Sequence, residues 1–266
     1  MTGMSMAETR PTPPAGYLLG EALQRFPGDK MSWSYTGPIA LALAAVAAFL
    51  PRHQTAAATF ALCFTFDLWL KQMLMPDWKE RVAAKLYSTR SFSWAFVTFC
   101  LLYGLGLIVL PIALSFAIGL SLKSSTDLVG MLVLIVFQSI TMIVLAMIFG
   151  SSLLFLPARV VRLPWNVGDA VRSAAGARGT LIAVALTCSA ISIGGTVLGC
   201  VAIVGWVVGK LPEGPWVTFV GRAIIVFADM LALYVAAYCL SRLFVILTGW
   251  TPPPLPGNRI EPSLTA

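Results

Sequence analysis

The stretch LLFLPARVVRLPWNVGDAVRSAAGARGT, residues 153–180, separates two long apolar blocks and organises the rest of the chain. We call it the hinge segment. It opens with the end of an apolar run that closes at Pro157, and four arginines follow: Arg159, Arg162, Arg172 and Arg178. Basic residues beside the end of an apolar run are typical of the cytoplasmic side of a membrane. The hinge segment is therefore predicted to leave the membrane, form a short surface helix capped by Asn166 and Asp169, and re-enter.

The composition excludes a soluble globule of this size. Of 266 residues, 58% are hydrophobic and only 11% are charged, and the mean hydropathy is +0.86. So few charged side chains cannot cover a water-facing surface, which makes the bilayer the natural solvent. The net charge of +7 comes from basic residues next to apolar runs, so it indicates membrane topology, and we expect no nucleic-acid partner.

The sequence predicts an all-α polytopic bundle with about six transmembrane helices and three amphipathic interfacial helices on the cytoplasmic side. A helix needs about 20 apolar residues to cross the hydrocarbon layer. The predicted spans are residues 33–50, 55–75, 93–122, 128–156, 180–208 and 216–247. The first is short, so the first two spans either cross fully or form a re-entrant hairpin.

The predicted interfacial helices each precede a pair of spans. They lie in YLLGEALQRF from residue 17, in DWKERVAAKLYSTRSF from residue 77, and in the hinge segment. The pattern suggests one membrane domain at 16–249, built from a possible three-fold repeat at 17–75, 77–156 and 164–247. A disordered tail at 1–15 and a Pro-rich tail at 250–266 flank it. Most basic residues fall on one side of this topology, which predicts both termini in the cytoplasm.

The hinge segment resembles the YciC-like and glycerophosphoryl diester phosphodiesterase membrane-domain-like group of bacterial integral membrane proteins. The matching residues are Leu156, Pro157 and Ala158, then Asp169, Ala170, Ser173 and Gly179. The resemblance implies a multi-pass protein of the bacterial inner membrane with about six spans. It does not imply a hydrolase, because the spans leave no room for the catalytic domain to which this module is fused in the phosphodiesterases.

Charged and polar side chains within the spans are the candidate functional residues, because a charge at the bilayer centre costs about 2.5–3.5 kcal/mol. Asp67 and Lys71 stand four residues apart and form either a structural ion pair or an ion or substrate contact. Asp229 needs a partner outside its own helix. With Gln138, the two acids define a hypothetical polar layer, either a permeation path or contacts that hold helices together. The glycines of the GxxxG motif at Gly195 and Gly199 predict tight packing within the chain or a dimer contact.

A second set of candidates lies at the predicted membrane surface. Six basic residues are expected to contact lipid: Lys79, Arg81, Lys85, Arg159, Arg162 and Arg172. The single histidine, the isolated cysteines and the absence of a GxxxxGK motif predict no metal, no cofactor and no enzyme. The sequence thus favours a non-enzymatic inner-membrane protein, an accessory or membrane-organising component that contacts lipids, a partner protein or a second copy. The alternative is a transporter or channel component.

Overall fold

The computed structural model describes residues 12–30, 34, 37–39, 41–43, 45, 54–83, 128–208 and 215–253. Every regular element in these ranges is helical, as predicted. The α-helices are α1 (Ala15–Arg25), α2 (Gln54–Leu74), α3 (Trp78–Ala83), α4 (Leu128–Phe149), α5 (Phe155–Val160), α6 (Val167–Ser173), α7 (Arg178–Val208) and α8 (Pro215–Thr248). Short 3-10 turns at Phe26–Gly28, Gly150–Leu154 and Ala175–Ala177 join some of them.

Three helical stretches of the described chain are long and apolar enough to cross a membrane: Ser139–Val160, Ala175–Ala202 and Phe219–Thr248. They contain 22, 28 and 30 residues, and each therefore exceeds the roughly 30 Å of a hydrocarbon core. The prediction of a membrane-embedded helical protein is confirmed at this level. Helix α2 covers the predicted span 55–75 but is not one of these three stretches. The predicted span 93–122 lies outside the described residues, as do most of span 33–50 and the ends of both tails.

Helices α7 and α8 form an antiparallel hairpin. Ser192 of α7 bonds to Asp229 of α8, and further along α7, Gly199 lies against Gly221 and Ile225. From the first contact to the second, the residue numbers rise along α7 and fall along α8. The two helices therefore run in opposite directions, and the end of α8 lies beside the start of α7.

Helix α2 runs in the same direction as α8. The ring of Trp69 meets the ring of Tyr234 edge to face, with 5.5 Å between centroids, and Arg81, just beyond α2, bonds to Pro253, just beyond α8. Both helices therefore finish at the end of the bundle where α7 starts. We call this the hinge end. Thr12 also lies there, because its Oγ1 donates to the carbonyl of Gly176 at 3.4 Å.

Helix α1 packs along the second half of α8. Leu18 and Ala22 of α1 are fully buried, and the ring of Phe26 stands 4.9 Å from that of Tyr234 between centroids. Leu18, Ala22 and Phe26 of its apolar side thus pack against protein, while Leu23 on the same side is 43% exposed. Part of this side is covered because α8 offers an aromatic surface, which hydropathy along α1 cannot distinguish from lipid, and the predicted interfacial position of α1 stays a prediction.

Local hydrogen bonds define the hinge segment. The backbone N–H of Asp169 donates to Asn166 Oδ1, and the N–H of Asn166 donates to an oxygen of Asp169, both at 2.9 Å. This reciprocal capping box confirms the predicted cap of α6. At the end of α5, Leu163 N–H donates to the Ala158 carbonyl at 2.9 Å, which leaves Arg162 in the left-handed region with φ of 61°.

Candidate functional site

The mid-helix carboxylate of α8 finds its partner on α7. The hydroxyl of Ser192 donates to Asp229 Oδ1, and Asp229 is half-buried between the two helices. None of the ion pairs found among the described residues involves Asp229. Asp229 therefore has a polar partner on another helix, as its position required, and that partner is a neutral hydroxyl.

Two glycines let α7 and α8 approach closely enough for this contact. A Cβ on Gly195 would stand 2.0 Å from the Cβ of Ala228, and one on Gly199 would stand 2.6 Å from the carbonyl oxygen of Gly221. Both distances are too short for any side chain. Of the two uses predicted for the GxxxG motif, the structure displays the internal contact.

The predicted pair in α2 is present. Lys71 Nζ donates to Asp67 Oδ2 one turn earlier, and both side chains are buried. Acid four residues before base is the favourable order on a helix. The pairing supplies each charge with a counter-charge inside the bundle, and its part in any ion path stays a hypothesis.

The two acids lie at similar heights along the bundle. Asp67 precedes Trp69 by two residues, Asp229 precedes Tyr234 by five, and the two rings touch. Because α2 and α8 run parallel, this spacing separates the carboxylates by about one helical turn along the bundle axis. Gln138 belongs to α4, but its side chain is outside the described part of the chain. Two of the three members of the predicted layer thus lie at similar heights, each with its own partner, and the layer itself stays a prediction.

Arg81, a predicted lipid contact, is instead engaged with protein acceptors. Its Nε and Nη2 donate to the two carboxylate oxygens of Asp77 at 2.9 and 2.7 Å, and Nη2 also donates to the carbonyl of Pro253 at 2.6 Å. The side chain is buried. The hydrogen bond from Arg81 lowers the pKa of Asp77 below its ordinary value. We call these three hydrogen bonds of Arg81 the Arg81 bridge. They hold the start of the C-terminal tail beside α3.

The other predicted lipid contacts differ in exposure. Arg159 is half-buried, with its guanidinium carbon 4.7 Å from the centre of the Phe155 ring. Lys79 and Arg162 are exposed, whereas Lys85 lies outside the described residues. Arg172 is highly exposed and pairs with Asp169 at 2.6 Å. The N–H of Asn166 and, to a smaller extent, Arg172 lower the pKa of Asp169.

A further set of polar contacts, between α8 and the segment formed by α1 and the turn after it, was not predicted. Charged residues spaced four apart on one side meet residues spaced four apart on the other: Glu21, Arg25 and Asp29 against Tyr234, Tyr238 and Arg242. Tyr234 donates its hydroxyl hydrogen to Asp29 at 3.2 Å, the Arg25 guanidinium lies 5.7 Å from the Tyr238 ring centre, and Glu21 and Arg242 approach to 3.7 Å. The four-residue spacing is the same in both segments. That shared spacing was the signal in the sequence that could have predicted these contacts.

No protein-family model matches the chain, and no curated protein or solved structure resembles it significantly. Within the described ranges, no three His, Cys, Asp or Glu side chains are grouped to hold a metal ion.

Proposed function

We propose that this chain is a six-span protein of the bacterial cytoplasmic membrane with both termini in the cytoplasm. In this proposal it is a non-enzymatic accessory or membrane-organising component of the YciC-like kind, which interacts with envelope lipids or a partner protein. The resemblance of the hinge segment to that group supports the class. The three membrane-length helices support the location.

The observation that carries the proposal is that the arginines, together with the first and last described residues, gather at one end of the bundle. Thr12 and Pro253 both lie at the hinge end. Of the arginines in the described part of the chain, all but Arg222 belong to the half of the bundle nearest that end. Because cytoplasmic segments of membrane proteins are enriched in arginine and lysine, the hinge end is assigned to the cytoplasm.

Thiol labelling tests this orientation. In a background with all five native cysteines replaced, Gly176→Cys places an exposed thiol at the hinge end and Trp216→Cys places one near the opposite end. A membrane-impermeant reagent applied to spheroplasts should label the cysteine at 216 directly and the one at 176 only after permeabilisation. The reverse pattern, or labelling of both without permeabilisation, would rule out the proposed orientation.

A transporter or channel component is the second candidate, favoured by the similar heights of Asp67 and Asp229. Each acid already has a protein partner, Lys71 or Ser192, which supports packing contacts over an aqueous path. In the same cysteine-free background, Asp67→Cys and Asp229→Cys should resist impermeant reagents from both sides. Labelling that depends on the side of addition or on added solutes would favour transport and contradict the accessory role.

A further inference from the structure

Helix α6 leaves two valines uncovered next to the membrane-length helices. Val167 and Val171 stand one helical turn apart and are 47% and 44% exposed. Ala170 and Ala174, in contrast, are fully buried against the protein. The small residues let α6 press against the bundle, and the branched apolar residues consequently face outward.

Three exposed arginines lie close to these valines in the sequence. Arg162 precedes α6, Arg172 lies within it and Arg178 begins α7. The contact of Arg172 with Asp169 leaves 78% of the arginine side chain exposed. Exposed apolar and cationic side chains within one short segment fit the boundary between acyl chains and anionic headgroups.

The position of α6 in the chain keeps this surface near the headgroup region of the membrane. The helix follows the end of α5 and precedes the start of α7, and both neighbours belong to stretches long enough to cross a membrane. A short helix tied at both ends to membrane-spanning segments cannot move far from the headgroup region. The surface is therefore within reach of lipid that surrounds the bundle.

We propose that the exposed surface of α6, formed by Val167 and Val171 with Arg162, Arg172 and Arg178, binds an anionic phospholipid. The arginines hold the phosphate of the headgroup, while the valines contact the upper acyl chains. This inference rests on the proposed function and names the class of lipid. Of the predicted lipid contacts, Arg162 and Arg172 are exposed, whereas Arg81 is buried and Arg159 is half-buried.

Native mass spectrometry of the full-length protein in detergent measures this preference. Delipidated protein is offered dioleoyl phosphatidylglycerol or dioleoyl phosphatidylcholine at equal concentration, and the fraction that retains lipid is compared. An arginine near an anionic surface contributes about 1 kcal/mol, equivalent to about fivefold in affinity. Arg162→Gln combined with Arg172→Gln should therefore reduce phosphatidylglycerol retention at least about fivefold and lower phosphatidylcholine retention less, because the choline cation offsets the charge of the phosphate that the arginines contact.

Two further variants keep the test decisive. Lys30→Gln removes one exposed charge away from α6 and should leave the preference intact. Val171→Ser should lower phosphatidylglycerol retention without a change in net charge, and it replaces the double variant if that variant fails to fold. Equal retention of the two lipids by the unmodified protein would overturn the inference, as would an unchanged preference in a folded α6 variant.

Inorganic phosphate separates lipid from free anion. Excess phosphate should not displace phosphatidylglycerol, because phosphate has no acyl chain to contact the valines, and efficient displacement would overturn the assignment to lipid. Failure of the inference is distinguishable from failure of the proposed function. A missing lipid preference with cytoplasmic labelling at position 176 refutes this site alone, whereas labelling from outside refutes the orientation.

Discussion

The hydroxyl of Ser192 in α7 donates a hydrogen bond to the carboxylate of Asp229 in α8. The bond joins the two longest helices of the described chain, which contain 31 and 34 residues. It lies one turn from Gly195, where the backbones are so close that α7 has no space for a Cβ. A polar group between membrane-length helices needs a partner because lipid provides none, so this contact fixes the rotation of each helix against the other.

Ser192→Ala is expected to destabilise the protein by about 1–3 kcal/mol, because it leaves a half-buried carboxylate between two helices without its donor. Asp229→Asn retains an acceptor oxygen and should cost less. Denaturant unfolding in detergent micelles measures both. Thr196→Ala is the matched control, since the Thr196 hydroxyl bonds to the Ser192 carbonyl within its own helix. A loss from Thr196→Ala as large as that from Ser192→Ala would contradict the importance of the interhelical bond.

Gly195→Ala should lower stability by about 1–3 kcal/mol, because the new methyl group would overlap Ala228 and force α7 and α8 apart. Gly194→Ala is the control on the adjacent residue, where a Cβ would meet nothing within 4 Å. That variant should be neutral or slightly stabilising, since alanine is the better helix former. Thermal unfolding in the same detergent compares the two. Equal destabilisation would indicate that general glycine replacement, and not the interhelical contact, causes the loss.

Asp77→Asn should weaken the Arg81 bridge to Pro253. The resulting loss of stability should depend on pH. Arg81 lowers the pKa of Asp77 in the folded protein. The ionised carboxylate therefore stabilises the fold at pH values above the pKa of Asp in the unfolded chain, about 3.9. That contribution is lost as the pH falls further, through the folded pKa. The difference in unfolding midpoint between the natural protein and the variant should therefore shrink from pH 6 to about pH 3.

Glu80→Gln provides the control for this pH series. It removes an exposed carboxylate from α3, the helix that also carries Arg81. Its difference from the natural protein should vary less with pH than that of Asp77→Asn. An Asp77→Asn difference that stays constant down to pH 3 would show that the Asp77 carboxylate does not stabilise the fold.

Arg162→Gly should give a more stable protein than Arg162→Ala. Arg162 adopts φ of 61° just beyond the end of α5, a conformation that costs a non-glycine residue roughly 1 kcal/mol or more. Both variants lose the same side-chain contacts, and glycine alone relieves the backbone strain. Unfolding midpoints of the two variants measured side by side test this point. A glycine variant no more stable than the alanine variant would contradict the strain at this position.

Where an arrangement depends on nearby residues, the sequence predicted it well. The apolar runs predicted spans at 180–208 and 216–247, and the helices extend over Arg178–Val208 and Pro215–Thr248. The capping box of Asn166 and Asp169 and the pair of Asp67 and Lys71 also followed from short spacings. Each of these features depends on three or four neighbouring residues, or on a run of apolar residues. Each can therefore be predicted from the local sequence.

Contacts between distant segments were decided by tertiary structure. Hydropathy required a partner for Asp229 but could not select Ser192, 37 residues away. It likewise assigned Arg81 to lipid, although the fold surrounds Arg81 with Asp77 and Pro253. The length and depth of a helix are local properties of its sequence, so the sequence by itself determined a membrane-embedded helical protein. The rotation of each helix about its axis depends on the neighbours it meets, and only the packed bundle determines which side chains touch.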